Sequence, residues 1–298
     1  MRSRGRNPAS VILMLLLALV APGARADIRV VDDNGSVVTL RAPARRIVTL
    51  APHATELAFA AGAGAAVVGV VKGSDYPPAA RALPSVGDAA ALDVERIVLL
   101  APDLIVTWPW TTPQQVALLR DRSIAVFEAN PKTIDGIADD IEKLGELTGT
   151  RDAAHAAVAA FRARIAGIPA APAGVPALTV FYQVSDAPLF TLGGHHLVSE
   201  AIARCGGRNV FDTLTLPAPQ VNVEAVLAAN PQVILAGTDN AVRPAWLDEW
   251  SRWPALAAVR RHALYAVDAN LLHRPGPRFA EGVVQLCETL AKARRSQP

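Results

Sequence analysis

A chain of 298 residues is long enough for two lobes of ordinary domain size, each burying a core of its own. Its formal charge of +2, from 29 Lys+Arg against 27 Asp+Glu, becomes −2 once residues 1–26 and their four arginines are set aside. No basic stripe interleaved with aromatics remains, which speaks against a nucleic-acid partner. No later run of about eighteen apolar residues offers a membrane span.

The first 26 residues read as an address. Arg2, Arg4 and Arg6 precede the apolar run 11–20, and Ala24-Arg25-Ala26 supplies an A-x-A site. This is the pattern of a bacterial secretory signal cleaved between Ala26 and Asp27, with a retained anchor as the alternative. Residues 28–40 then alternate apolar and polar around Asn34-Gly35, a hairpin pattern. A buried strand at 46–50, a helix at 55–61 stopped by Gly62, and a strand at 67–71 follow. After the turn-rich stretch through Tyr76-Pro77-Pro78 come a short helix, a strand at 104–108, a helix at 113–121 and a strand at 124–127. Such alternation predicts a largely parallel sheet covered by helices on both faces.

The helix predicted over 133–147 is followed by a second, over 152–168, with no strand between them. We read 152–168, with Asp152 as its N-cap, as a connecting helix of at least about four turns. The α/β fold then divides into an N-terminal lobe at 27–151, the connecting helix, and a C-terminal lobe at 169–298. The second lobe is predicted to carry a strand at 177–182, a helix at 196–204, a Trp-rich segment at 246–253, a strand at 264–267 and a last helix from about Phe279. Two cysteines in an exported chain either form one disulfide or remain as buried thiols. A bridge from Cys205 to Cys287 would tie the last helix to the second lobe.

One unit occurs twice. Asp93-Val94-Glu95-Arg96-Ile97 through Pro102 is matched by Asn222-Val223-Glu224-Ala225-Val226 through Pro231, at a constant offset of 129 residues. Each copy reads as a capping Asp or Asn, a short helix, a Pro stop and an apolar strand. Each also has Glu at its third position. Glu56 and Gly62 are echoed by Glu200 and Gly206, so the two lobes read as an internal duplication.

These residues carry a resemblance. Val48-Thr49-Leu50-Ala51-Pro52-His53-Ala54-Thr55-Glu56-Leu57 is one marker, and Ser74-Asp75-Tyr76-Pro77-Pro78 is another. Glu95-Arg96-Ile97 with Ala101-Pro102-Asp103-Leu104, Gly206-Gly207-Arg208-Asn209-Val210-Phe211, and Arg274-Pro275-Gly276-Pro277-Arg278 complete the set. Together they resemble the helical-backbone (class III) substrate-binding proteins of ABC importers, in particular those for cobalamin (vitamin B12). The resemblance covers essentially all of the chain beyond the signal. It implies two Rossmann-like lobes with central sheets, joined by one long backbone helix, and a transported ligand held between them in the periplasm. The ligand it implies is a corrinoid, with haem or a ferric siderophore chelate as the alternative. It implies no catalytic cofactor.

The resemblance further implies that Glu95 and Glu224 meet arginines of the membrane permease, which works with its ATPase, so that the chain contacts an inner-membrane complex only peripherally. Two carboxylates on opposite lobes suit such pairing, since Arg and carboxylate pair bidentately and fix orientation. The plain alternative is a favourable charge in each helix first turn. Both cysteines also fall at the family's disulfide positions.

A flat tetrapyrrole wants aromatic or aliphatic surfaces and a few polar groups at its edge. Trp108, at the C-terminal end of a predicted parallel strand, is placed for that role, and Trp110 follows it. The last loop offers Asp268 and Arg274 as edge groups. His53, His195, His196 and His273 are expected near the cleft, where an imidazole could ligate haem iron or cobalt. Gly73, small residues around Ala89, and Ala218 stand where the cobalamin binders carry aromatics. No His-rich loop or close ligand spacing points to a site for a free metal. No G-x-S-x-G elbow, H-E-x-x-H or Gly-rich phosphate loop points to an enzyme.

Overall fold

The computed structural model describes residues 26–88, 91–169 and 174–295. The secretory signal and the expected small-residue position Ala89 lie outside the described residues. The described chain opens with the antiparallel hairpin β1 (Ile28–Val31) and β2 (Val37–Leu40). Next come β3 (Ile47–Thr49), α1 (Pro52–Ala60), β4 (Val67–Val70), α2 (Val94–Leu99), β5 (Leu104–Thr107), α3 (Pro113–Arg120) and β6 (Ala125–Glu128). The four strands from β3 to β6 pair in parallel in the order β4-β3-β5-β6. Every residue of β3 and β5 is buried, as expected of inner strands covered on both faces.

Two helices follow without a strand between them, α4 (Ile134–Thr148) and α5 (Arg151–Ala166), joined through Gly149 in the left-handed conformation. The connecting helix thus starts one residue before the expected 152, and Asp152 lies in its first turn instead of capping it. At the start of α5 the Thr150 hydroxyl donates to the Ala61 carbonyl at 2.5 Å, in the first lobe. At its other end the Ile165 carbonyl accepts from Arg204 at 2.7 Å, and Arg164 pairs with Glu281 at 3.1 Å, both in the second lobe. The chain therefore crosses between lobes on α5. α4 lies antiparallel alongside it, and the first amide of α4, Ile134 N–H, donates to Glu200 of the second lobe at 2.8 Å.

The second lobe contains β7 (Leu178–Asp186), β8 (Leu189–Thr191), α6 (Leu197–Arg204), β9 (Gly207–Asn209), α7 (Val223–Ala229) and β10 (Val233–Thr238). It ends with α8 (Ala245–Asp248), α9 (Ala257–Arg260), β11 (Leu264–Asp268), α10 (Ala269–Leu272) and α11 (Phe279–Arg295). Its sheet runs β11-β10-β7-β8, with β9 also on β7; all pairings are parallel except β7 with β8. The second lobe is therefore not a strict copy of the first. β7 runs four residues past the predicted strand end at 182 and turns back as β8, which the sequence pattern did not announce.

The repeated unit holds down to its backbone. Asp93 accepts from the Arg96 amide at 2.9 Å, and Asn222 accepts from the Ala225 amide at 2.9 Å. The residue before each Pro is left-handed, Ala101 at φ 46° and Asn230 at φ 43°. Asn accepts that conformation more readily than Ala, so the second copy makes the same turn at lower conformational cost.

One cluster of buried side chains runs through both lobes. It passes from Ile47, Leu104 and Phe127 through Ile137 and Leu144 of α4 and Phe161 of α5 to Val180, Leu235 and Leu286. Cys205 and Cys287 are bonded, 4.7 Å apart at Cα, and join the end of α6 to α11 across 82 residues of sequence. Closing a loop of that length removes about 4.5 kcal/mol of chain entropy from the unfolded state. A Cys205→Ala/Cys287→Ala variant is expected to lose about 2–5 kcal/mol in urea denaturation. An unchanged midpoint would mean that the bridge constrains nothing the core does not already hold.

Candidate ligand cleft

Open parallel sheets bind ligands outside the C-terminal ends of their strands, where strand order reverses. In the first sheet the chain goes from β3 to β4 on one side and crosses to β5 on the other, so the reversal lies between β3 and β5. His53, the second residue of α1, follows β3, and Trp108 follows β5 directly. Both line a cleft of about 220 Å³ between the lobes, together with Trp110 and the loop 129–132 after β6. The second lobe contributes His195 and His196 after β8, Pro217 and Ala218 before α7, and His273 and Pro275 after β11.

The aromatic wall is built by contact. The His53 and Trp108 rings meet edge-on with centroids 5.5 Å apart, and Trp110 stands 6.3 Å from Trp108. Trp110 is 65% exposed, and the Trp108 indole N–H is buried with no acceptor among the described residues. That orphaned donor is available to a ligand acceptor brought within reach.

Three cleft imidazoles are held neutral. Burial lowers the pKa of His53 to about 4, although its hydrogen bond to the Ala129 carbonyl at 3.3 Å works the other way. Burial likewise lowers His196 to about 4, with the His273 imidazole adding to it; His196 accepts from the Val198 amide at 3.1 Å as the cap of α6. His273, also brought to about 4 by burial against the opposing pull of Asp239 and Asp268, pairs with the Tyr182 hydroxyl at 2.9 Å. Gly237 is required beside that pair, because a Cβ there would collide with the Tyr182 hydroxyl. Among the described residues no carboxylate lines the cleft, and Lys132 is the one charged side chain there. The arrangement suits a flat, apolar-faced ligand with a neutral or anionic edge.

The structure brings His53, Trp108 and Trp110 together. It puts two other expected edge groups elsewhere. Asp268 caps α10, accepting from the Asn270 amide at 2.9 Å and from the Asn240 amide at 3.2 Å. Arg274 donates to Asp75 at 2.6 Å and to Asn270 at 2.9 Å, and does not line the cleft. Its neighbours His273 and Pro275 do. Ala218 lines the cleft as a small residue, and Gly73 does not line it. Glu95 and Glu224 are exposed in the first turns of α2 and α7, and neither forms an ion pair among the described residues. Asn130 and Lys132 went unnoticed in the sequence. Their position after the end of a parallel strand was the available signal.

A family model described as "Periplasmic binding protein" matches residues 47–271. The vitamin B12-binding protein of Vibrio cholerae is 38% identical over 255 residues, spanning 85% of this chain and 91% of its own. The crystal structure of the periplasmic vitamin B12 binding protein of Vibrio cholerae matches with a TM-score of 0.72 at 36% identity, over 85% of this chain and 99% of that one. The apo periplasmic heme-binding protein of Roseiflexus sp. RS-1 matches with a TM-score of 0.70 at 25% identity, over 85% and 99% respectively. Fold, motifs and family match agree: the chain belongs to the periplasmic binding protein family.

Proposed function

We propose that this protein captures cobalamin or a related corrinoid in the interlobe cleft and delivers it to the permease of an ABC importer. The observation that carries this reading is the cleft itself: indole surfaces at the strand-order reversal, neutral imidazoles and no carboxylate. The 38% identity to a vitamin B12-binding protein supports the ligand class. In this reading Trp108, Trp110 and His53 pack against the ligand, while Glu95 and Glu224 meet cationic groups of the permease. The protein works in the periplasm, reached by means of the signal at residues 1–26.

The cleft's 220 Å³ is below the roughly 300–1,000 Å³ typical of small-molecule sites. A corrinoid therefore enters as the walls move apart. Titration calorimetry with cyanocobalamin tests the reading, and one saturable site is expected. Trp108→Ala removes a large apolar wall worth roughly 2–3 kcal/mol, so affinity is expected to fall about 30- to 150-fold. Absence of binding by the unsubstituted protein would overturn the corrinoid reading.

Haem is the second reading. What favours it is the exposed His195 at the cleft, an imidazole able to ligate haem iron. A Soret shift on adding haemin, with no response to cyanocobalamin, would select it.

A further inference from the structure

A cluster of charged groups outside the cleft lining ties the two lobes together. Glu56, in α1 of the first lobe, is 2% exposed. Both of its oxygens are held by the second lobe: Arg278 Nε donates to Oε2 at 2.9 Å and Nη2 to Oε1 at 2.6 Å, and Arg274 Nη1 lies 3.6 Å from Oε1. Arg274 also donates to Asp75 Oδ1 at 2.6 Å, and Arg278 lies over the Tyr76 ring, 4.1 Å from its centroid. Every first-lobe member comes from α1 or the turn after β4. Both arginines come from the loop between α10 and α11. That same loop supplies His273 and Pro275 to the cleft wall.

Buried ion pairs add little net stability over apolar packing, because desolvation consumes most of the attraction. Their stronger effect is on geometry. A bidentate Arg–carboxylate pair tolerates little rotation, and separating it strands a buried charge. Two acids and two arginines also leave this cluster with no net charge to expel.

We propose that Glu56 is a positioning residue for ligand capture, clamping the loop 273–278 to the first lobe and setting how far apart the cleft walls stand. This rests on the reading of the cleft as the ligand site. The two arginines do different work. Arg278 meets a carboxylate that is 1% exposed and acts as the fixed point. Arg274 shares itself with Asp75, whose side chain is 52% exposed, and is the contact that water can replace as the walls separate.

The test places spin labels at Leu99→Cys and Ala228→Cys, exposed positions on opposite lobes, and measures their separation by pulsed electron paramagnetic resonance. The otherwise unsubstituted protein is expected to give one narrow distance distribution. Glu56→Gln is expected to broaden it toward longer distances and to speed cyanocobalamin dissociation at least about tenfold. Asp75→Asn, at a half-exposed site that does not endanger folding, is expected to broaden it less and to speed dissociation a few-fold. Distributions and dissociation rates unchanged in Asp75→Asn and in folded Glu56→Gln would overturn the proposal. If the unsubstituted protein does not bind cyanocobalamin, the ligand reading fails, while the distance measurement still decides the clamp.

Discussion

Reversing both Glu95 and Glu224 to Lys is expected to abolish cyanocobalamin uptake while leaving cyanocobalamin affinity unchanged. The two carboxylates sit at equivalent places in a unit repeated at 129 residues, each one residue inside a capped helix start. Neither lines the cleft, so the ligand does not feel the exchange. Neither is committed to an ion pair within the described chain, which leaves both free for a cationic partner. Each helix exchanges a favourable first-turn charge for an unfavourable one, costing about 0.6–2 kcal/mol apiece, too little to unfold the chain. At the two proposed permease contacts the same exchange would turn attraction into repulsion, and like-charge juxtaposition costs several kcal/mol. Each single reversal is expected to retain partial uptake. The measurement pairs uptake by cells dependent on this protein with calorimetry on the purified variant. Full uptake by the double variant would assign these glutamates to helix ends alone.

The second large effect concerns acid. His53, His196 and His273 take up a proton near pH 6.5 when the chain is unfolded but only near pH 4 when it is folded. The unfolded chain therefore binds more protons throughout that window, and stability falls as pH drops from 6.5 to 4. For the fully enclosed His53 the loss amounts to about 3 kcal/mol. The other two, less completely enclosed, add smaller amounts.

Two carboxyls modify the profile. Burial raises Asp140 well above its ordinary value, with the charge of Asp33 acting in the same direction against Lys143. That group recovers some stability as acid protonates it. Partial burial pushes Asp75 up, but the hydrogen bond and charge of Arg274 outweigh it and leave Asp75 below its ordinary value. Its contribution is lost only below pH 3.8, beneath the histidine window. Urea midpoints near pH 7 and near pH 4.5 should differ clearly, and His53→Gln should narrow the gap. Equal midpoints would mean that the imidazoles are hydrated in solution.

The repeated unit was legible because its determinants are local. A capping side chain, a Pro stop and an apolar strand follow one another within fifteen residues, and each has a short-range physical meaning. The cleft tryptophans were legible for a related reason, since a residue just past a parallel strand points to the sheet's open end. The loop after β11 was not. Whether Arg274 faces the cleft or the opposite lobe depends on Glu56 and Asp75, about two hundred residues earlier, and no periodicity encodes that choice. An acid in a loop near the cleft suggests an edge group, which is what the sequence alone offers for Asp268. Its actual bonds to the amides of Asn270 and Asn240 are the ordinary work of a cap. β8 escaped notice because a three-residue strand carries too little pattern.

The buried cluster shared by both lobes, together with the paired helices α4 and α5, has a consequence for traffic at the membrane. Lobes that share a core cannot swing like jaws, so the parting of the cleft walls that admits a ligand is a small-angle motion, which lengthens the α2–α7 distance without reorganising the face that carries both helices. In the docking reading proposed above, empty and loaded molecules then present similar faces to the permease and compete for it. Import per permease would depend on the fraction of the circulating pool that is loaded, and an excess of empty protein would act as an inhibitor.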